Sequence, residues 1–193
     1  MKTYPLLVLS LLLFACGHDH KHGHGEDHKH SHEHKHGGAN EHMHKHDFED
    51  LVERFESPER DDYQKPAAVL KELGDISGQK IMEIGSGTGY FSFKLVDAGA
   101  QVIAADVDER FQEFIKNKKD SLGIGDALEL RKVPYDSPDL DSAEVDKVLI
   151  VNTYHHIEDR SEYFAKVLSG LNNGGELCVI DFYKKELPVG PPV

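Results

Sequence analysis

The sequence is short of cysteine, of basic charge and of long apolar runs, and each shortage removes a class of protein. Two cysteines among 193 residues are too few for a disulfide framework. Cys16 sits in a leader, and Cys178 falls inside a stretch that reads as a buried strand. With 22 Lys+Arg against 35 Asp+Glu the formal charge is -13. The first 46 residues carry five of each sign, so the whole acidic excess lies beyond them. An acidic domain repels a phosphate backbone, so no nucleic-acid partner is expected. The apolar run at residues 6–14, about a dozen residues with its neighbours, is shorter than the ~20 that a membrane-spanning helix needs. The length allows one ordinary domain plus a tail.

A further absence lies in the glycine pattern. Residues 80–89, Lys80-Ile-Met-Glu83-Ile-Gly85-Ser86-Gly87-Thr-Gly89, read as a short buried strand followed by a sharp glycine turn, and residues 90–98 read as the helix that leaves it. Glycines suit a loop that takes backbone angles closed to other residues and that a ligand must approach closely. The helix N-terminus adds free N–H groups and the positive end of a dipole, which favour an anionic group. A second strand over 101–106 ends in Asp106, whose carboxylate can accept both hydroxyls of a ribose. A dinucleotide loop, G-x-G-x-x-G, requires glycine at position 90, and Tyr90 stands there instead. The unit predicts a nucleoside ligand other than a dinucleotide.

With its third glycine at Gly89, the segment Glu83 to Gly89 resembles the first motif of the class I S-adenosylmethionine-dependent methyltransferases. The resemblance continues in order across about 100 residues. Asp106 matches the ribose-binding acid, Tyr135-Asp136 the pair beside the adenine, residues 145–152 (Val145 to Asn152) the fourth strand, and residues 171–181 the fifth strand with its preceding turn. It implies S-adenosylmethionine as cofactor, with Glu83, Gly85, Ser86, Gly87 and Gly89 around the methionine part. It places Asp106 on the ribose, Val107 on an adenine face, Asp136 at the adenine amino group and Asn152 at the cofactor side of the fourth strand. Two readings stay open at Asp136, because Tyr-Asp-Ser-Pro also forms a turn with no ligand present. Residues 152–156, Asn152-Thr-Tyr-His155-His156, fall where the family places its substrate-side groups. Either histidine is a candidate general base at neutral pH, for an acceptor that must lose a proton; the other reading is that one of them caps or packs under the next helix. The acceptor is expected to be a small molecule; the other reading of the whole is a metal-binding surface lipoprotein whose domain binds a nucleoside with little or no catalysis.

Ahead of the domain the composition changes twice. Lys2, the apolar run and Leu13-Phe-Ala-Cys16-Gly resemble the lipobox of bacterial lipoproteins, which implies cleavage before Cys16, a lipid on that cysteine, and a membrane-anchored protein of the cell envelope. Residues 17–46 then hold twelve of the fourteen histidines: His18, His20, His22, His24, His28, His30, His32, His34, His36, His42, His44 and His46. With almost no apolar residue this tail buries no core. Imidazoles two residues apart on a loose chain can converge on Zn, Ni or Cu in overlapping sites, and the other reading is a solvated spacer between lipid and domain.

From residue 47 helical spacing returns. Phe48, Leu51, Val52 and Phe55 share one face, Ser57-Pro58 ends that helix, and a second helix runs from about 66 to 73. The resemblance implies that this segment folds over the cofactor, with Tyr63 and Gln64 as lid contacts; the plain alternative is an amphipathic helix pair on the sheet edge. Beyond the loop, strands near 101–106, 127–133, 145–151 and 175–182 alternate with helices at 108–121 and 159–170. The expected fold is an α/β, Rossmann-like, doubly wound parallel sheet in strand order 3-2-1-4-5, with the ligand at the carboxyl ends of the strands. The family fold continues through two further strands, and the sequence ends after Phe182 to Val193. We therefore expect the last two strands to be missing, either because the sequence is a fragment or because a partner copy covers the fifth strand. The expected domains are 1–16, 17–46 and 47–193.

Overall fold

The computed structural model describes residues 9–10 and 47–183. Cys16, the twelve tail histidines and residues 184–193 lie outside the described residues. Within them run β1 (Leu9–Ser10), α1 (Phe48–Glu56), α2 (Arg60–Gln64), α3 (Pro66–Leu73), β2 (Lys80–Ile84), α4 (Tyr90–Asp97), β3 (Gln101–Asp106), α5 (Glu109–Leu122), β4 (Leu128–Lys132), β5 (Val145–Val151), a turn of 3-10 helix (Tyr154–His156), α6 (Arg160–Gly170) and β6 (Leu171–Ile180).

The sheet runs β1-β6-β5-β2-β3-β4, and β2 to β6 are mutually parallel. Counting those five along the chain gives the order 3-2-1-4-5. The two-residue β1 pairs antiparallel with the outer edge of β6, Leu9 opposite Val179. Alternate residues of the central strands feed two cores. Ile81, Val102, Ala104, Leu149 and Val151 meet Val69, Leu73, Phe91, Leu95 and Ile115 of α3, α4 and α5. On the other face Met82, Ile84, Ile103, Ala105, Val148 and Ile150 meet Tyr163 and Val167 of α6. A sheet covered on both faces explains why its strands read as nearly continuous apolar runs.

The helix limits follow local chemistry. Asp108 caps α5, its carboxylate accepting the Arg110 N–H at 2.9 Å. Sequence spacing missed α2, whose five residues are too few to show a period. It ends at Lys65 in a left-handed conformation, φ 49°, where the following Pro66 disfavours continued helix. The strand expected from 175 begins at Leu171. Val145 pairs with Leu171 and Lys147 with Glu176, so Asn172 to Gly175 bulge out of the ladder.

At the amino ends of the strands, opposite the glycine loop, Asp146 joins three of them. Its carboxylate accepts the Lys80 N–H of β2 at 2.8 Å and the Asn172 side-chain amide of β6 at 2.8 Å. Removing it leaves a part-buried backbone donor without its acceptor. Asp146→Ala is expected to lower stability by about 1–3 kcal/mol, measured by urea unfolding, with ligand affinity at the far end of the sheet unchanged.

Candidate active site

The glycine loop is held by the strand beside it. Gly85 and Ser86 donate their N–H groups to the Ala105 carbonyl at 2.8 and 3.0 Å, and Gly87 N–H reaches Asp106 Oδ2 at 2.8 Å. The other oxygen of Asp106 accepts Asp108 N–H at 2.9 Å. Gly85 takes φ 77°, and a Cβ there would lie 2.2 Å from Thr153 Oγ1, so glycine is required both by conformation and by the approach of the β5 loop. Gly89 has a positive φ as well and lies under Phe93 and Ile115. The loop thus brings Gly85, Ser86, Gly87, Gly89 and Asp106 together as the sequence implied.

Two hydroxyls in this loop are buried without a hydrogen-bond partner, Ser86 Oγ and Thr88 Oγ1. Buried polar groups are nearly always paired, so these two mark positions where a polar ligand fits.

Glu83 lies below the loop, 3% exposed, and its carboxylate takes the Ser92 hydroxyl. Burial pushes its carboxyl up to about 7, against the Ser92 hydrogen bond and the nearby Arg60 charge. Burial likewise raises Asp106 to about 6, the N–H groups of Asp108 and Gly87 opposing. Val107 is half-buried against the core under α6. Asp136 is exposed in a turn, and its contact is through its own carbonyl, which accepts Lys166 Nζ at 2.7 Å. Its neighbour Tyr135 is the one that senses Asp106: burial raises the phenol first, and the Asp108 and Asp106 charges add to it.

The roof comes from α1 and α2. Phe55 is the side chain that a Cβ on Gly87 would meet, at 3.5 Å. Phe48 and Phe55 pack on Phe111 of α5 with ring centroids 5.1 and 5.8 Å apart. Arg60 Nη1 donates to the Phe55 carbonyl at 2.8 Å, and its guanidinium stacks 4.1 Å from the Tyr90 ring centroid. Gln64 is buried and Tyr63 half-buried on α2. The roof over the loop also includes Phe55, which helical spacing put on the apolar face of α1, and Arg60, which spacing did not single out.

After β5, Asn152 takes φ 53° and donates its N–H to the Ile180 carbonyl at 2.8 Å. That bend carries the following residues over the carboxyl ends of β5 and β6. His155 Nδ1 lies 2.9 and 3.0 Å from the two oxygens of Asp181, whose Oδ2 also accepts the His155 N–H at 3.0 Å. Burial opposes the Asp181 charge, but hydrogen bonds from His155 and the Phe182 N–H outweigh it, holding the carboxyl below its usual range. Burial and the adjacent His155 push His156 down to about 4, so it is neutral at pH 7. An open cleft of about 530 Å³ runs from His155 past Glu158, Asp159 and Arg160 to Glu162. Among the described residues no group of three or more His, Cys, Asp or Glu is placed to hold a metal ion.

Glu83 also gives a test of these electrostatics. In the folded protein its carboxyl titrates at about 7 against an ordinary 4.5, so the folded state binds more protons between those values and stability falls as pH rises through them. Glu83→Gln removes that dependence. The variant is expected to gain up to about 3 kcal/mol relative to the parent between pH 4.5 and 8, read as the difference in chemical unfolding at the two pH values.

Comparison with known proteins fits this geometry. Residues 82–177 match a family model described as a methyltransferase domain. An uncharacterized methyltransferase of Staphylococcus carnosus is 26% identical over 125 residues, covering 63% of this chain and 56% of that protein. A tRNA U34 carboxymethyltransferase of Saccharophagus degradans is 26% identical over 112 residues, 58% of this chain and 34% of that protein. The chain spans 56 to 61% of the length of the first three curated relatives it matches. Among solved structures, a SAM-dependent methyltransferase from Aquifex aeolicus superposes with a TM-score of 0.68 at 26% identity, covering 77% of this chain and 79% of that one. Phosphoethanolamine N-methyltransferase 1 of Haemonchus contortus, at 18% identity and a TM-score of 0.59 over 67% of this chain and 28% of that one, shares the fold. The chain therefore carries a methyltransferase domain, folded as the S-adenosylmethionine-dependent methyltransferases are.

Proposed function

We propose that this protein transfers a methyl group from S-adenosylmethionine to a small-molecule acceptor at the carboxyl ends of β2 and β5. The observation that carries the reading is the loop: a backbone cradle too narrow for side chains, two buried hydroxyls without partners, and an acid at the end of the next strand. These residues fit the cofactor. The glycine loop with Ser86 and Thr88 holds its methionine part, Asp106 its ribose, and Val107 with the Tyr135-Asp136 turn flanks its adenine. Bound there, S-adenosylmethionine supplies an electrophilic methyl on a sulfonium centre.

The chain's own task is then to place a nucleophile in line and keep water out. Phe55 and Arg60 close the loop from above, and Thr153 closes it from β5. An ionised Asp181 accepts hydrogen bonds and donates none, so it fixes the proton of His155 on Nδ1 and leaves Nε2 with a free lone pair. His155 Nε2 takes the acceptor's proton, and Asp181 is the positioning residue that orients the ring and steadies the imidazolium. His156, neutral at pH 7, packs beside it with ring centroids 4.2 Å apart.

Calorimetric titration checks the cofactor first. The full chain is expected to bind S-adenosylmethionine and its demethylated product at micromolar concentration, and Asp106→Ala to lose both. A folded parent that binds neither overturns the reading. For the base, His155→Asn and Asp181→Asn are expected to keep cofactor affinity within about twofold while transfer of labelled methyl to a metabolite pool falls by ~100-fold or more. Undiminished transfer in both variants removes His155 from the chemistry.

A second activity rests on the histidines of residues 17–46. We read that segment as a binder of Zn, Ni or Cu on a lipoprotein anchored through Cys16 in the cell envelope. Metal analysis after equilibrium dialysis is expected to find more than one equivalent per chain, lost on deletion of residues 17–46.

A further inference from the structure

β6 is the last of the parallel strands, and one of its edges lies outside the parallel ladder. On the inner edge Leu177, Cys178, Val179 and Ile180 face Val148, Leu149, Ile150 and Val151 of β5. The backbone groups that point the other way still need partners, because an open strand edge is a template for any chain that can pair with it. Among the described residues β1 meets them. Leu9 lies opposite Val179 and Ser10 opposite Cys178, in antiparallel register. The sheet's sixth strand therefore comes from the apolar run at the start of the sequence.

The chemistry of the chain favours this occupant over the other end of the sequence. Residues 3–18 contain no Lys, Arg, Asp or Glu, so docking them beside β6 buries no charge. The strand they meet is apolar on both faces: Leu177 and Val179 pack half-buried on the core under α6, and Ile180 is buried in the core on the opposite face. Residues 184–193 include Pro188, Pro191 and Pro192, and proline donates nothing to a ladder. Reach is sufficient too. Residues 11–47 join β1 to α1, and a coil of that length spans roughly 35 Å, about the width of a domain of this size.

We infer that the outer edge of β6 is a docking site for this chain's own leader, which seats there through Leu9–Ser10 as an antiparallel strand. The docked strand closes the edge to other chains. It also braces the end of β6 from outside, where the Asn152 N–H holds the Ile180 carbonyl from within, one residue before Asp181. On the lipoprotein reading, cleavage ahead of Cys16 removes that strand, so the unprocessed and the processed protein differ at the edge beside the His155–Asp181 pair.

The register supplies the test. Antiparallel neighbours lie about 4.5–5.5 Å apart at Cα, within the span of a disulfide, and the thiol of Cys178 is free. The full chain is made with Cys16→Ser, which blocks processing and leaves Cys178 as its one cysteine. Ser10→Cys is then added, the protein is oxidised with diamide, and peptide mapping locates the bond. A bond within one chain between positions 10 and 178 is expected to form at least tenfold faster than one from Leu7→Cys, placed three positions off the register. In parallel, hydrogen exchange compares the Cys16→Ser chain with the same chain carrying Leu9→Pro and Ser10→Pro, which removes both N–H groups of the docked strand. The segment 177–180 is expected to exchange at least tenfold faster in the proline variant, and β2 and β3 at unchanged rates. Bonds between two chains mean that a second copy occupies the edge, and equal rates from positions 7 and 10 mean that the leader has no fixed seat. Either result, or an absent bond with unchanged exchange, overturns the inference and leaves the methyltransferase reading standing.

Discussion

The arrangement depends on one carboxylate. Asp106 ends β3, and its two oxygens each accept a backbone N–H, one from Gly87 in the loop of the neighbouring strand and one from Asp108 at the start of α5. A loop of three glycines has no side chains with which to hold itself, and glycine loses more freedom on ordering than any other residue. Its shape is imposed from outside, by Asp106 and by the Ala105 carbonyl that takes two further N–H groups. The same acid remains available to a ligand. A carboxylate oxygen has room for more than one donor, so ribose hydroxyls can add to the two backbone contacts without displacing them. On the proposed reading, bracing the loop and receiving the ligand are two uses of one buried charge.

The roof is attached by side chains, whereas the sheet it covers is joined by backbone ladders. Among the helices ahead of β2, α3 sends Val69 and Leu73 into the core, α1 buries Leu51 and pairs Glu56 with Lys118, and α1 and α2 add ring contacts with Phe111 and Tyr90. Aromatic pairs of that kind contribute about 0.5–1.5 kcal/mol each beyond their buried area, a scale that thermal motion and ligand exchange can overcome locally. Glu83 and Asp106 are 3% and 7% exposed beneath this roof.

The parts of the site made by local sequence were legible and those made by tertiary contact were not. Glycine spacing and the acid some twenty residues on are local consequences of a strand-loop-helix unit. They singled out Gly85, Gly87, Gly89 and Asp106, which the structure brings together in one hydrogen-bonded loop. The alternation of apolar strands and amphipathic helices gave the five parallel strands in order, because each element's period is written in its own residues. Nothing local marks Arg60. It belongs to a five-residue helix with no visible period, and its ring partner Tyr90 is 30 positions away. Asp181 escaped for the same reason: it was read as the end of a strand, and its bond to His155 spans 26 residues. Asp136 shows the reverse case. The turn predicted there forms, yet it is Tyr135 beside it that feels the Asp106 charge.

Five side chains of this site lie where burial works against them. Burial raises Glu83 and Asp106 toward neutrality and lowers Arg60, and Ser86 and Thr88 lack hydrogen-bond partners. Each is a cost to folding, and none is needed to close the cores on the two faces of the sheet. Natural proteins tolerate such local conflict where a ligand resolves it. On the proposed reading, a bound nucleoside brings polar groups to the two hydroxyls and to Asp106. Binding then offsets part of that cost, so ligand should stabilise the loop and the carboxyl ends of the strands more than the Asp146 end.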